Sequence, residues 1–329
     1  MKPLVSILIP IYGVEKYIEK CVRSLFEQSY ESIEYIFVND CSPDKSIDIL
    51  RGVLSDYPIR EKNVKIINHE NNIGLAGTRN TALKNASGDF VLFMDSDDYL
   101  DNNVVEKLVA SALSDNANIV IYDMRYVYED KEVIVHHSIK SNPIDYVCQL
   151  LTYKVGVGVC GKLIDRKLFT NNHIEFIEGL NFGEDYVTSP RIAYFASKIT
   201  YCPNIYYNYV QYNSSSYTQG YSAKNIDDLK RAIEVLREFF STKSEFNFRE
   251  YFNEVCLINK VKLLISICLH YKQVGCRLRE VSLLFIESDD YSYKLPKSYQ
   301  LILFLSKHKL FGLLRLYVVL GYKVKHFIK

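Results

Sequence analysis

Three carboxylates fall within four residues at Asp95-Ser96-Asp97-Asp98. Packed so closely, they repel one another unless a cation neutralises them. Mg²⁺ or Mn²⁺ suits such a cluster, because either ion accepts one or two protein carboxylates and completes its shell with phosphate oxygens and water. The same residues also suit a helix start, with Asp97 and Asp98 capping the helix that follows. The tetrapeptide alone leaves both readings open. A fourth carboxylate, Asp40, closes an apolar run at Asn39-Asp40, where a ligand contact and a helix cap are equally good uses. Farther on, Glu178 to Tyr186 carries Gly183-Glu184-Asp185. Its plain reading is a helix N-terminus, where the macrodipole favours acidic side chains.

Other chemistries fit less well. Gly156-Val157-Gly158-Val159-Cys160-Gly161 matches G-x-G-x-x-G. A dinucleotide fingerprint, however, follows the first strand of a βαβ unit and opens a helix, whereas this run lies mid-chain and leads into Lys162-Leu163. No G-x-x-x-x-G-K-[ST] phosphate loop is present. The eight cysteines are scattered with no C-x-x-C, which reads as reduced thiols and not as a disulfide framework or zinc site. A short apolar run near the N-terminus lacks a small-residue cleavage site, so a signal peptide is not expected. No stretch reaches the roughly 18 apolar residues of a membrane span.

The elements that must position these residues follow two alternating periods. Val5–Ile11 is a continuous apolar run, as in a strand buried on both faces of a parallel sheet. Tyr17, Cys21, Leu25 and Gln28 then recur at helical spacing. Ile33–Val38, Val64–Ile67 and Phe90–Met94 are further strands. Between them lie a helix carrying Ile47, Leu50 and Leu54, started by Ser42-Pro43-Asp44, and a helix over Leu75–Ala86. Strands alternating with helices describe a doubly wound sheet, whose ligands sit outside the carboxyl ends of the strands. Asp40 and the Asp95–Asp98 cluster both fall at such ends. Beyond them come a helix near Val104–Ser114 and a strand at Ile119–Tyr122. Helices are then expected over about Ala223–Phe240, Tyr251–Tyr271 and Arg277–Ile286, with an apolar-basic segment from Ser298 to Lys329.

Five runs appear in a telling order. They are Val5-Ser6-Ile7-Leu8-Ile9-Pro10-Ile11-Tyr12, Ser24 to Tyr30, Glu34 to Asp44, Asn71 to Asn80, and Gly88 to Leu100. Together they resemble the family 2 glycosyltransferases of the GT-A fold, closely over the first hundred residues and more thinly to about residue 216. The resemblance implies an α/β fold, Rossmann-like with a mostly parallel sheet and flanking helices, over residues 1–217. Nucleotide-sugar binding falls in about 1–100 and the acceptor side in about 101–217. A helical C-terminal extension over 218–329 ends in a basic tail.

The resemblance also implies roles. Pro10 and Tyr12 border the nucleotide base and ribose, and Asp40 is the carboxylate that hydrogen-bonds the base. Asn39 stands where the family often has a second Asp. Arg79 reaches the donor diphosphate, Asp95 approaches the ribose, and Asp97 coordinates Mg²⁺ or Mn²⁺. Asp185 is the general base and Glu184 an acceptor-side carboxylate, with the Gly-rich loop at 156–161 on the same side. The Tyr-rich run Tyr206 to Ser216 resembles one that closes the domain in relatives, with Val210 where they often carry Arg. The activity implied is inverting transfer from a UDP-linked sugar to a saccharide or lipid-linked acceptor. A nucleotidyltransferase and a catalytically silent sugar-binding scaffold are the rival readings.

Charge is unevenly distributed. From Tyr291 to Lys329 there is no Asp or Glu, and that segment carries +8, leaving −7 for the rest of a chain whose net charge is +1. Two uses are open for this tail: peripheral contact with an anionic membrane face of the cytoplasm, or a docked helix with solvated basic residues. Fold signatures and aromatic interleaving of a nucleic-acid binder are missing, so no nucleic-acid partner is expected.

Overall fold

The computed structural model describes residues 2–213, 222–243, 248–286, 288, 292 and 294–327. The chain divides into two compact units, Met1–Ser216 and Tyr217–Lys329.

The first unit is built on one nine-stranded sheet. Its path runs β3 (Val64–Asn68), β2 (Ile33–Asn39), β1 (Val5–Ile11), β4 (Phe90–Phe93), β8 (Lys162–Asp165), β6 (Ile119–Val127), β9 (Ile199–Val210) and β5 (Tyr99–Leu100), with β7 (Glu132–Val135) pairing β6 off that path. The first four strands are mutually parallel. All seven residues of β1 are buried, which is why its sequence is an unbroken apolar run. Beyond β4 the sheet becomes mixed: β8 is antiparallel to both β4 and β6, while β9 lies parallel to β6.

Helices α1 (Ile18–Phe26), α2 (Ser46–Ser55), α3 (Pro58–Glu61), α4 (Gly74–Lys84) and α5 (Val104–Asp115) connect these strands. Helix α1 buries Ile18, Cys21, Val22, Leu25 and Phe26, the spacing of a single apolar face. The Ser42-Pro43-Asp44 run does not start α2, whose first residue is Ser46. Asp44 instead uses its carboxylate to accept from the Ser42 hydroxyl and from N of Ser46, the first residue of α2. No helix follows Asp97 and Asp98 directly either. The chain enters β5, and α5 begins only at Val104, so the two carboxylates are not helix caps. Helices α6 (Pro143–Leu151), α7 (Lys167–Thr170) and α8 (Glu184–Tyr194) complete the unit.

The second unit is helical: α9 (Ala223–Ser241), α10 (Phe248–Leu269), α11 (Tyr271–Val274), α12 (Leu278–Ser282), α13 (Lys297–Lys307) and α14 (Phe311–Phe327). Its core gathers Val255, Val261, Leu264 and Ile267 of α10 with Ile302 and Leu305 of α13 and Leu314 of α14. The single helix expected over Arg277–Ile286 is a 3-10 turn at Gly275–Arg277 followed by the short α12. The segment from Ser298 is two helices, broken where Lys309 takes a left-handed φ of 57°.

Candidate active site

The parallel strands point their carboxyl ends at one rim of the sheet, and two loops there are laced together. The Ser42 hydroxyl accepts from Gly13 N at 2.8 Å, Asp44 from Glu15 N at 2.8 Å, and the Ser46 hydroxyl from Val14 N at 3.2 Å. The loops after β1 and β2 therefore form one wall. Pro10 is buried inside β1, while Tyr12, just past its end, is 53% exposed.

Asp40 closes this wall against α4. Only 3% exposed, its carboxylate meets His69 Nδ1 at 2.8 Å and accepts from Ile73 N and Gly74 N, each at 2.9 Å. Asp40 thus caps a helix 34 residues later, not the segment that follows it. The positive end of α4 gives the carboxylate a second reason to stay there. Gly74 has φ +82°, a conformation that favours glycine, and a Cβ on it would come within 2.7 Å of the Asn181 side-chain amide. Asn39 spans outward to Asn68 and holds Ser42 N.

Arg79 lies on α4, 2% exposed; its two terminal nitrogens meet three carboxylates, while its buried Nε has no hydrogen-bond partner. Nη1 donates to Glu184 at 3.0 Å and to Asp185 at 2.8 Å; Nη2 donates to Asp95 at 3.0 Å. Its neighbour Asn80 fastens the segment that brings those carboxylates in, donating to Phe176 O and accepting from Phe176 N, both at 2.9 Å. Glu184 and Asp185 occupy the first turn of α8, after Gly183 at φ +88°, so they do sit at a helix N-terminus. That placement and the ion pairs to Arg79 coexist.

Electrostatics sorts the two α8 carboxylates. Burial drives the Glu184 carboxyl well above the ordinary range, Asp185's charge adds to this, and Arg79 pulls the other way. Burial also raises Asp185, but Arg79 and Lys162 oppose it. Side-chain exposure is 10% for Glu184 and 20% for Asp185. Of the two, Glu184 is the one in which its partner's carboxylate adds to burial in favouring the protonated form. The Gly-rich loop lies against them: a Cβ at Gly158 would stand 3.5 Å from Asp185 Oδ2. Ser189 and Tyr186 of α8 bind Val157 O and Leu151 O, and the buried Lys162 ammonium, lowered to about 8 by desolvation, donates to the carbonyls of Gly156 and Gly158.

The Asp95–Asp98 turn, closed by Asp98 N on Asp95 O, divides its three carboxylates among different partners. Asp98 is 1% exposed and accepts from the Tyr207 hydroxyl at 2.7 Å and from Val210 N at 2.8 Å. The same hydroxyl accepts from Asp95 N at 3.1 Å. Asp95 faces Arg79, and Asp97 accepts from the Asn213 amide at 2.8 Å. Burial and Asp95's charge raise the Asp97 carboxyl. Sequence reasoning singled out Asp95 and Asp97 but missed Asn80, Tyr207 and Asn213. A polar residue beside Arg79 and a Tyr-rich run were the only signals for them. Ser214 to Ser216 of the Tyr-rich run lie outside the described residues.

Among the described residues no three His, Cys, Asp or Glu side chains converge on a metal position. The donor set fits an ion that needs only one or two protein carboxylates: Asp97 retains an oxygen beyond its Asn213 bond, and its raised carboxyl is one a cation would relieve.

Known proteins share this architecture. The computed fold is similar to S. aureus TarS residues 1–349 in complex with UDP-GlcNAc, with a TM-score of 0.66 at 19% identity over 97% of this chain and 92% of that one. It is similar to the mannosyltransferase PcManGT of Pyrobaculum calidifontis in complex with GDP-Man and Mn²⁺, with a TM-score of 0.54 at 16% identity over 97% and 87%. In sequence, the uncharacterized glycosyltransferase EpsJ of Bacillus subtilis (strain 168) is 32% identical over 197 residues, which span 56% of this chain and 54% of that protein. The model of the family described as glycosyl transferase family 2 matches residues 6–174, just over half of the chain. With the GT-A fold, the ordered motifs and this match in agreement, the chain belongs to glycosyl transferase family 2.

Proposed function

We propose that this glycosyltransferase moves a hexosyl or N-acetylhexosaminyl unit from a UDP-linked donor to a saccharide or lipid-linked acceptor by a single inverting displacement. The observation that carries this reading is the convergence of Asp95, Glu184 and Asp185 on the buried Arg79, beside Asp97. Catalysis in this reading belongs to the first unit.

Asp185 takes the proton of the acceptor hydroxyl. A carboxylate raised above its ordinary pKa is a stronger base, and the charges of Arg79 and Lys162 favour its ionised form. Burial and Asp185's charge favour the protonated form of Glu184, which lessens the buried negative charge. In this reading Arg79 orients Asp185 and Asp95 through its terminal nitrogens, while its Nε has no hydrogen-bond partner. Asp40 acts likewise, fixing the start of α4, while the exposed Tyr12 borders the nucleoside and Asp95 the ribose.

Asp97 is the residue that would hold Mg²⁺ or Mn²⁺. When bound there, the ion supplies Lewis-acid stabilisation of the charge left on the nucleoside diphosphate. The UDP assignment draws on the UDP-GlcNAc complex of TarS, and the metal on the Mn²⁺ complex of PcManGT.

Calorimetric titration of UDP, GDP and their sugars, with Mn²⁺ and with chelator, tests the donor half. Tight UDP binding that needs Mn²⁺ and is lost in Asp97→Ala supports it. A folded sample that binds no nucleotide overturns it.

A further inference from the structure

Of the eighteen large hydrophobic side chains exposed among the described residues, seven lie between Leu301 and Leu320. On α14, Leu313, Leu316, Tyr317 and Leu320 are 55%, 56%, 37% and 53% exposed. At about 100° per residue these four positions share one face. Leu314 and Val318, on another face, are buried and supply the packing that holds the helix in its unit. Helix α13 repeats the arrangement: Ile302, Leu303 and Leu305 are buried, Leu301 and Phe304 exposed. The two helices therefore carry a second apolar face beyond the one their core needs.

Basic residues surround it. Lys297, Lys307, His308, Lys309 and Arg315 are exposed, and the segment from Tyr291 onward has no acidic residue. A second copy of this chain is a poor occupant, because a self-complementary contact sets one +8 segment against another. A polyphosphate chain would leave the leucines in water. An anionic lipid surface satisfies both features at once, with leucines at the acyl boundary and ammonium groups among the headgroups. No helix among the described residues is long and apolar enough to cross a membrane, so this contact lies in the plane of the surface.

We propose that α13 and α14 form a peripheral docking face for an anionic lipid bilayer. Vesicle flotation of the full chain tests it, with phosphatidylcholine alone and with phosphatidylcholine mixed with phosphatidylglycerol. The chain should float with the mixed vesicles, stay behind with the neutral ones, and release as salt rises. Leu313→Ser, Leu316→Ser and Leu320→Ser combined should abolish flotation. Lys307→Gln with Lys309→Gln should weaken it by about tenfold or more. All five positions are exposed, so circular dichroism and the unfolding midpoint should match the parent. Failure to float with mixed vesicles overturns the proposal, as does equal flotation with neutral ones. A dimer in light scattering that the leucine variant dissolves also overturns it, because the face would then be covered by a second copy.

Discussion

Arg79 Nη1 stands 2.8 Å from Asp185 Oδ1, although α4 and α8 bring these residues together from 106 positions apart. One fully desolvated guanidinium thus fixes the proposed base and also meets Glu184 and Asp95. The site is organised around a buried cation, and its carboxylates would repel one another without it.

Removing that cation should be costly. Arg79→Met leaves three carboxylates facing one another, and unpairing a buried ion cluster typically costs about 3–5 kcal/mol. Arg79→Lys restores the charge as a single point and cannot serve carboxylates on both sides, so an intermediate loss is expected. Urea unfolding midpoints should rank parent, Lys, Met. A Met variant as stable as the parent would remove Arg79 from this role.

Asp185→Asn should spare donor binding and reduce turnover by about 10²-fold or more, the scale of a lost general base. Full turnover in this variant would reassign the base even with the family membership intact. The parent's kcat/KM should rise with pH along a limb displaced above the ordinary aspartate range, since burial raises Asp185.

Stability and metal binding should be linked through pH. Asp97, Asp98, Glu184 and Asp185 are all raised in the folded chain. Between the ordinary carboxylate pKa and those raised values, the folded state holds more protons than the unfolded one, so stability declines as pH rises through that interval. Mn²⁺ would compete with the Asp97 proton. The gain in Tm on adding Mn²⁺ should therefore grow from about pH 5 to about pH 8. A gain that shrinks over that range, or one retained in Asp97→Ala, would count against the proposed metal residue.

Tyr207→Phe isolates the contribution of one hydroxyl. It removes the donor to Asp98 and the acceptor for Asp95 N while keeping the ring in the core. A loss of about 1–3 kcal/mol is expected for the unsatisfied carboxylate. Apparent Mn²⁺ affinity, read by calorimetry, should fall because the turn carrying Asp97 loses its brace. Unchanged metal affinity alongside the stability loss would limit Tyr207 to packing.

How far this site was legible in the sequence depends on how locally each part is encoded. Strand β1 is readable to the residue, since burial on both faces admits only an apolar run. Helix α1 announces itself through one period. The three carboxylates at 95–98 look alike as letters, and their division is set by Tyr207, Val210 and Asn213, more than a hundred residues onward. Nothing near Arg79 says that its terminal nitrogens meet Glu184 and Asp185, because those two arrive with α8, 105 and 106 residues onward. The same applies to Asp40, whose hold on the start of α4, rather than a cap on its own neighbour, no local pattern announces. The sheet beyond β4 was similarly opaque: pairing of β8 between β4 and β6 is a long-range choice that no local period records.

The 105 residues between Arg79 and Glu184 also set a timetable for birth on the ribosome. At about 5–20 residues per second, the guanidinium leaves the peptidyl-transferase centre roughly 5–20 s before its α8 partners. During that interval the emerging half-sheet carries Arg79 and Asp95 without the helix that completes their pairing, and Asp98 without Tyr207. The turn at 95–98 is finished only when β9 arrives. On the proposed assignment of Asp185, a translation product that ends before α8 lacks the base.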